Sequence, residues 1–190
     1  MKRGARMLAS LLLTACGGQT TSGGLPPTVT GTVGGKPVTP ALDGVGLVGA
    51  ENTGGETTES YASAVLTNLP NTCAILSAGG NPANATALTL TVVDANAPIA
   101  PGTYTIDGGF SHQGVQVEAQ YVVQDATCTS TTTESAESGT ITFSSVGGSI
   151  LAGSFDVAFP SGDHLQGTFA SPLCDAAPGQ SQADPVCKSY

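Results

Sequence analysis

Tryptophan is absent from this chain, and Phe and Tyr together make up only 5% of it. The core must therefore be filled by Val, Leu, Ile and Ala. Basic side chains are scarce as well, at 5 against 14 acidic ones. Lys2, Arg3 and Arg6 stand at the very start. Beyond residue 15 only Lys36 and Lys188 remain to oppose 14 carboxylates, a net charge of −12. Such a surface offers no basic patch for phosphate and repels nucleic acid, so no nucleic-acid partner is expected. There is no C-x-x-C pair of the kind that holds zinc and no D-x-D-x-D-G calcium loop. No two carboxylates stand out as a general acid and base. No cofactor is expected, and catalysis is not.

What is abundant is Gly, at 26 residues, together with Thr and Ser. That composition suits short strands joined by tight turns and suits helices poorly. From Thr28 onward the hydrophobic period is two. Val29, Gly31 and Val33 alternate with threonines, and Gly34-Gly35 reads as a turn. Val45 and Leu47 mark a further short strand, and Tyr61 to Thr67 another. Leu88, Leu90 and Val92 share one face, as do Val115, Val117, Ala119, Tyr121 and Val123. Tyr104 and Ile106 share a face of a short strand. Asn52 to Ser60 and Ser130 to Ser138 read as polar loops.

The C-terminal third is the most regular. Ile141 and Phe143 point inward, then Leu151, Gly153, Phe155, Val157 and Phe159, then Leu165, Gly167 and Phe169. Gly147-Gly148 and Pro160 to Asp163 supply the turns of this three-stranded meander. The one helix candidate runs from Pro70 to Gly80, with Asn71 or Thr72 as cap and Gly79 as terminator. About nine strands without interleaved helices predict an all-β fold, a single antiparallel β-sandwich or partly closed β-barrel with one short helix.

The leader carries its own pattern. Basic residues precede Leu8 to Ala15, an apolar run that rises only about 12 Å as a helix, far short of a bilayer core of about 30 Å. This is the h-region of a signal peptide. It ends in Leu13-Thr14-Ala15-Cys16, which resembles the lipobox of bacterial lipoproteins. The resemblance implies diacylglycerol on Cys16 and cleavage after Ala15. It further implies a cell-envelope protein held to the membrane through lipid on Cys16. Gly17, where an Asp would favour inner-membrane retention, implies sorting to the outer membrane. Each buried CH₂ of an acyl chain contributes about 0.8 kcal/mol, so two or three chains anchor stably where one does not. Gly17 to Pro27 (GGQTTSGGLPP) reads as a flexible tether reaching about 17–20 Å. The expected division is a signal peptide at 1–15, a tether at 16–27, a β domain at 28–174 and a C-terminal tail at 175–190.

The stretch from Gly139 through Gly153-Ser154-Phe155 and Leu165-Gln166-Gly167-Thr168-Phe169 to Cys174 resembles a second pattern. It is met in uncharacterised β-rich bacterial lipoproteins, which also show a cysteine in a short helix like that at Cys73. That likeness supports the architecture and implies no activity.

The five cysteines are Cys16, Cys73, Cys128, Cys174 and Cys187. Setting Cys16 aside for lipid leaves an even four, which supports two disulfides in an oxidising compartment. Three connectivities are possible. The 12 residues between Cys174 and Cys187 contain Pro and Gly and can fold back. This favours Cys174 with Cys187, and hence Cys73 with Cys128.

Three stretches imitate chemistry. Gly44-Val45-Gly46-Leu47-Val48-Gly49 matches G-x-G-x-x-G, but a dinucleotide site needs a helix next, and Glu51 to Gly55 cannot start one. It reads as a glycine-rich strand. Ser111 and His112 lie in a near-match to a nucleophile elbow whose glycine comes one position late. His164 beside Asp163 reads as turn chemistry. The expected function is a lipid-anchored envelope protein with a non-catalytic structural or binding role. The alternatives are a carrier of a small apolar ligand in a barrel cavity, and an envelope hydrolase using Ser111 and His112.

Overall fold

The computed structural model describes residues 26–38, 43–52, 58–107, 114–175 and 187–190. In chain order the elements are β1 (Thr28–Val33), β2 (Lys36–Pro37), β3 (Asp43–Asn52), β4 (Thr58–Thr67), α1 (Thr72–Ser77) and β5 (Asn81–Pro82). There follow β6 (Thr86–Asp94), β7 (Gly102–Ile106), β8 (Val115–Gln124), β9 (Ser130–Ser135), β10 (Ser138–Ser145), β11 (Ile150–Ala158), β12 (His164–Pro172) and β13 (Cys187–Lys188). One antiparallel sheet has the order β2-β1-β12-β11-β10-β7 and the other β3-β4-β6-β8-β9. They pack against each other as a sandwich, and no closed barrel forms among the described residues.

The period-two reading places the core. Ala62, Ala64 and Leu66 of β4, Leu88, Leu90 and Val92 of β6, and Ala119 and Tyr121 of β8 are buried on one sheet. Opposite them lie Ile141, Phe143, Leu151, Phe155, Val157, Leu165 and Phe169, all in one cluster with the first set. Phe143 meets Phe169 edge-on at 6.1 Å and Tyr104 at 5.8 Å. Such ring pairs add about 0.5–1.5 kcal/mol each beyond burial.

Two inward glycines of the meander have a packing reason. Gly153 pairs with Phe169 and Gly167 with Phe155. A Cβ on Gly153 would stand 2.9 Å from the Phe169 ring, and one on Gly167 would stand 2.8 Å from the Phe155 ring. Each ring lies over the glycine across from it, an arrangement that covers the bare backbone and sets register.

Two expected loops are partly strand. Ser130–Ser135 forms the edge strand β9, and Thr58, Glu59 and Ser60 open β4 opposite Asn52, Glu51 and Ala50. Polar residues hide an edge strand because one-sided exposure removes the apolar alternation. The helix is confined to Thr72–Ser77. Asn71 takes a left-handed conformation and makes no side-chain cap. Instead the Thr72 amide donates to Asp43 Oδ2 at 2.8 Å, so a carboxylate at the start of β3 supplies the cap. Gly79, at φ 61°, ends the helix as expected.

The four cysteines beyond Cys16 do form two disulfides, but in a different pairing from the favoured one. Cys73 joins Cys174 and Cys128 joins Cys187, each with Cα atoms 5.6 Å apart. Chain separation misled the expectation. After β12 the chain passes beside β3, with Leu173 bridging to Gly46 and the Cys174 amide donating to the Gly46 carbonyl at 2.8 Å. That brings Cys174 under α1. Cys187–Lys188 forms β13, pairing in parallel with β5, where Cys187 meets Cys128.

Candidate functional site

The inner faces of the two sheets meet in one cluster of buried side chains. The gap bounded by Val29, Leu66, Leu88 and Tyr121 measures about 10 Å³, the least that one water needs. The closed barrel in which the alternative, a carrier, would enclose an apolar ligand does not form among the described residues.

The concavity lies on the opposite, outward face of the β3-β4-β6 sheet. Because β4 buries Ala62, Ala64 and Leu66, it turns Tyr61 and Ser63 outward. Register sets Leu47, Ser63 and Thr91 in one row and Gly49, Tyr61 and Val93 in the next. Glu51 and Glu59 face each other in the row beyond. Together these side chains line a groove of about 240 Å³. Its floor is tied by a 2.9 Å hydrogen bond between the Ser63 and Thr91 hydroxyls. Its wall is the Tyr61 ring, which leans over Gly49; a Cβ there would sit 2.5 Å from the phenolic oxygen. Burial, and secondarily the negative charge of Glu51, push the Tyr61 phenol above its ordinary value. Tyr61 is therefore a neutral hydroxyl donor at any physiological pH. The groove combines apolar walls, the hydroxyls of Tyr61, Ser63 and Thr91, and two like charges held side by side, an arrangement that is repulsive across a ladder.

The former imitations of chemistry resolve as follows. Gly44, Gly46 and Gly49 all lie within β3, and the next described element is the strand β4. A Cβ on Gly44 would stand 2.7 Å from Ser171 Oγ, and one on Gly46 would stand 2.6 Å from Leu151 Cβ. These glycines let β3 approach the other sheet. Ser171 is buried there, and its hydroxyl has no hydrogen-bond partner among the described residues. Ser111, His112 and Cys16 lie outside the described residues.

His164 Nε2 sits 2.6 Å from Asp156 Oδ1 on the outward face of the other sheet. The side chains are 47% and 62% exposed, so this pair contributes at most about 1 kcal/mol. Register puts Ala158 opposite His164 and Gln166 opposite Asp156, and neither is a nucleophile. Asp163 does the turn work expected of it. It accepts from the Thr32 hydroxyl at 2.6 Å, from Ser161 at 2.9 Å and from the Gly35 amide, joining the β1–β2 and β11–β12 turns. Thr32, then Ser161, hold its carboxyl below the ordinary value. Among the described residues no group of three or more His, Cys, Asp or Glu could hold a metal.

None of the groove residues was singled out in the sequence as functional. Tyr61 and Leu47 were legible as strand residues, but only the β3–β4 register puts Gly49 under Tyr61 and Glu51 beside Glu59. No family model matches this chain, and no curated protein or solved structure is found to match it.

Proposed function

We propose that this is a lipid-anchored protein of the bacterial cell envelope, acylated on Cys16 and sorted to the outer membrane, with a β domain in a non-catalytic binding or structural role. The observation that carries the reading is the cysteine pairing. Cys73–Cys174 and Cys128–Cys187 account for four of five cysteines and leave Cys16 as the one outside a disulfide. Two disulfides fit an exported protein in an oxidising compartment. The remaining cysteine is the one that stands in the lipobox-like Leu13-Thr14-Ala15-Cys16. An open sandwich with its groove on an outward face supports a role played at the surface. No helix among the described residues is long and apolar enough to cross a membrane.

The test is fractionation of cells making the intact chain or its Cys16→Ala variant, with labelled palmitate supplied. The intact chain is expected to carry label and to sediment with outer membranes. The variant is expected to carry none and to leave the membrane fraction. A variant that still sediments with membranes, or an intact chain without label, refutes the anchor.

A further inference from the structure

A sheet edge and the groove beside it converge on one kind of partner. Each large sheet has two edges, and three of the four are blunted. β2 is two residues long. β9 reads STTTES, without an apolar residue and with a carboxylate. β7 is five residues long and follows Pro98 and Pro101. Short, charged or proline-flanked edges resist pairing with other chains. The fourth edge, β3, is ten residues long. Its first half is covered, since Gly46 bridges to Leu173 and accepts from the Cys174 amide. Its second half, Leu47 to Asn52, has no described strand on its outer side. Val48 there is 37% exposed and Ala50 is exposed, and the only charge on this half-edge is Glu51, which deters an acidic strand and favours a basic one.

That open half-edge borders the groove. A strand added outside β3 would project alternate side chains over Leu47 and Tyr61 toward Glu51 and Glu59. The two glutamates demand a cation. The apolar walls suit the methylenes of a long stem, and the Tyr61 ring gives a cation a π-face. The volume, about 240 Å³, is below the roughly 300–1,000 Å³ of sites that enclose a free small molecule, and fits one side chain better.

We propose that the second half of β3 binds an extended basic segment of a partner protein, which pairs with the edge as an added strand and lays a Lys or Arg side chain in the groove. The net charge of −12 beyond residue 15 draws such a partner in at long range. This deepens the binding role proposed above and names the partner's chemistry.

The test uses the full chain in detergent micelles and the probe acetyl-Lys-Val-Lys-Val-Lys-amide, with the Glu-for-Lys peptide and butylammonium chloride as comparisons. The basic peptide is expected to bind, to slow amide exchange over Val48 to Glu51, and to weaken as salt rises from about 0.05 to about 0.3 M. Glu51→Gln with Glu59→Gln is expected to lower its affinity about fivefold to tenfold. Three results overturn the proposal: no binding of the basic peptide, equal binding of the acidic one, or groove saturation by butylammonium with the peptide adding no edge protection. Micelles hold the protein whether or not Cys16 is acylated. Failure here leaves the anchor standing, and failure of the anchor leaves this result readable.

Discussion

Replacing Gly46 by Ala tests how the two sheets meet. In an open strand the change is favourable, because Ala loses less backbone entropy than Gly by about 0.5–1 kcal/mol. A buried methyl adds about 0.8 kcal/mol more. Against this, the new Cβ would stand 2.6 Å from Leu151 Cβ, 3.0 Å from Leu173 Cδ2 and 3.4 Å from the Ser171 carbonyl. Carbon atoms prefer about 3.5–4.0 Å, and Leu151 Cβ is fixed to the β11 backbone, so no rotamer relieves the contact. The sheets must part locally, which puts the strain at the upper end of overpacking, about 3 kcal/mol or more. The net expectation is a loss of about 1–2 kcal/mol. Gly102→Ala is the matched control. It lies in β7, and its nearest neighbour, Tyr104 Cε2, would be 3.9 Å away. It should gain about 0.5–1 kcal/mol. At about 2–4 °C per kcal/mol for a chain of this size, the two variants should melt about 5–10 °C apart. Urea unfolding with disulfides oxidised, followed by circular dichroism and tyrosine fluorescence, measures both. A Gly46→Ala protein as stable as Gly102→Ala would show that β3 does not press on β11, and the sheet packing described here would be wrong.

Peptide mapping under non-reducing conditions should recover Cys73 linked to Cys174 and Cys128 linked to Cys187; a Cys174–Cys187 peptide would contradict the fold of the tail. Loop closure over separations of 101 and 59 residues predicts similar losses on removing either bridge, about 4–5 kcal/mol by chain entropy alone. The structure predicts a difference: Cys73→Ser with Cys174→Ser should cost about 1–2 kcal/mol more than removing the other bridge, since Cys174 is buried and Cys187 exposed at a two-residue strand. Equal losses in urea unfolding would favour the purely entropic account. Acid stability tests Asp163. Its folded pKa is lowered, so its contribution is complete above the unfolded value of about 3.9 and is lost as pH falls through the folded one. Asp163→Asn should flatten that part of the urea-midpoint profile below about pH 4, while the similarly lowered Asp125 keeps its own share. An unchanged profile would mean that the turn clamp is not made in solution.

Much of the fold was legible in the chain. Leu88, Leu90 and Val92, or Leu151, Phe155 and Val157, announce a buried strand face wherever one side of a sheet is wet. Turn glycines at Gly34-Gly35 and Gly147-Gly148 announce hairpins. The polar edge strand at Ser130–Ser135 was not legible, because with little to bury it has no alternation to read. The groove was illegible for another reason. Its members come from three strands, and Tyr61 looks like any strand aromatic until register sets it over Gly49.

Alternation alone thus determines that this chain is all-β, because burying one face at period two needs no knowledge of partners. An even four cysteines beyond Cys16 likewise announce two disulfides. Which cysteine meets which, whether the sheets close, and where a concavity opens depend on contacts between residues far apart in sequence. Cys174 reaches Cys73 because Leu173 runs beside β3, and the sheets come close because glycines in β3 let it press on β11. Glu51 faces Glu59 because ten pairs of the β3–β4 ladder fall in one register. Those are properties of packing, and only the tertiary structure decides them.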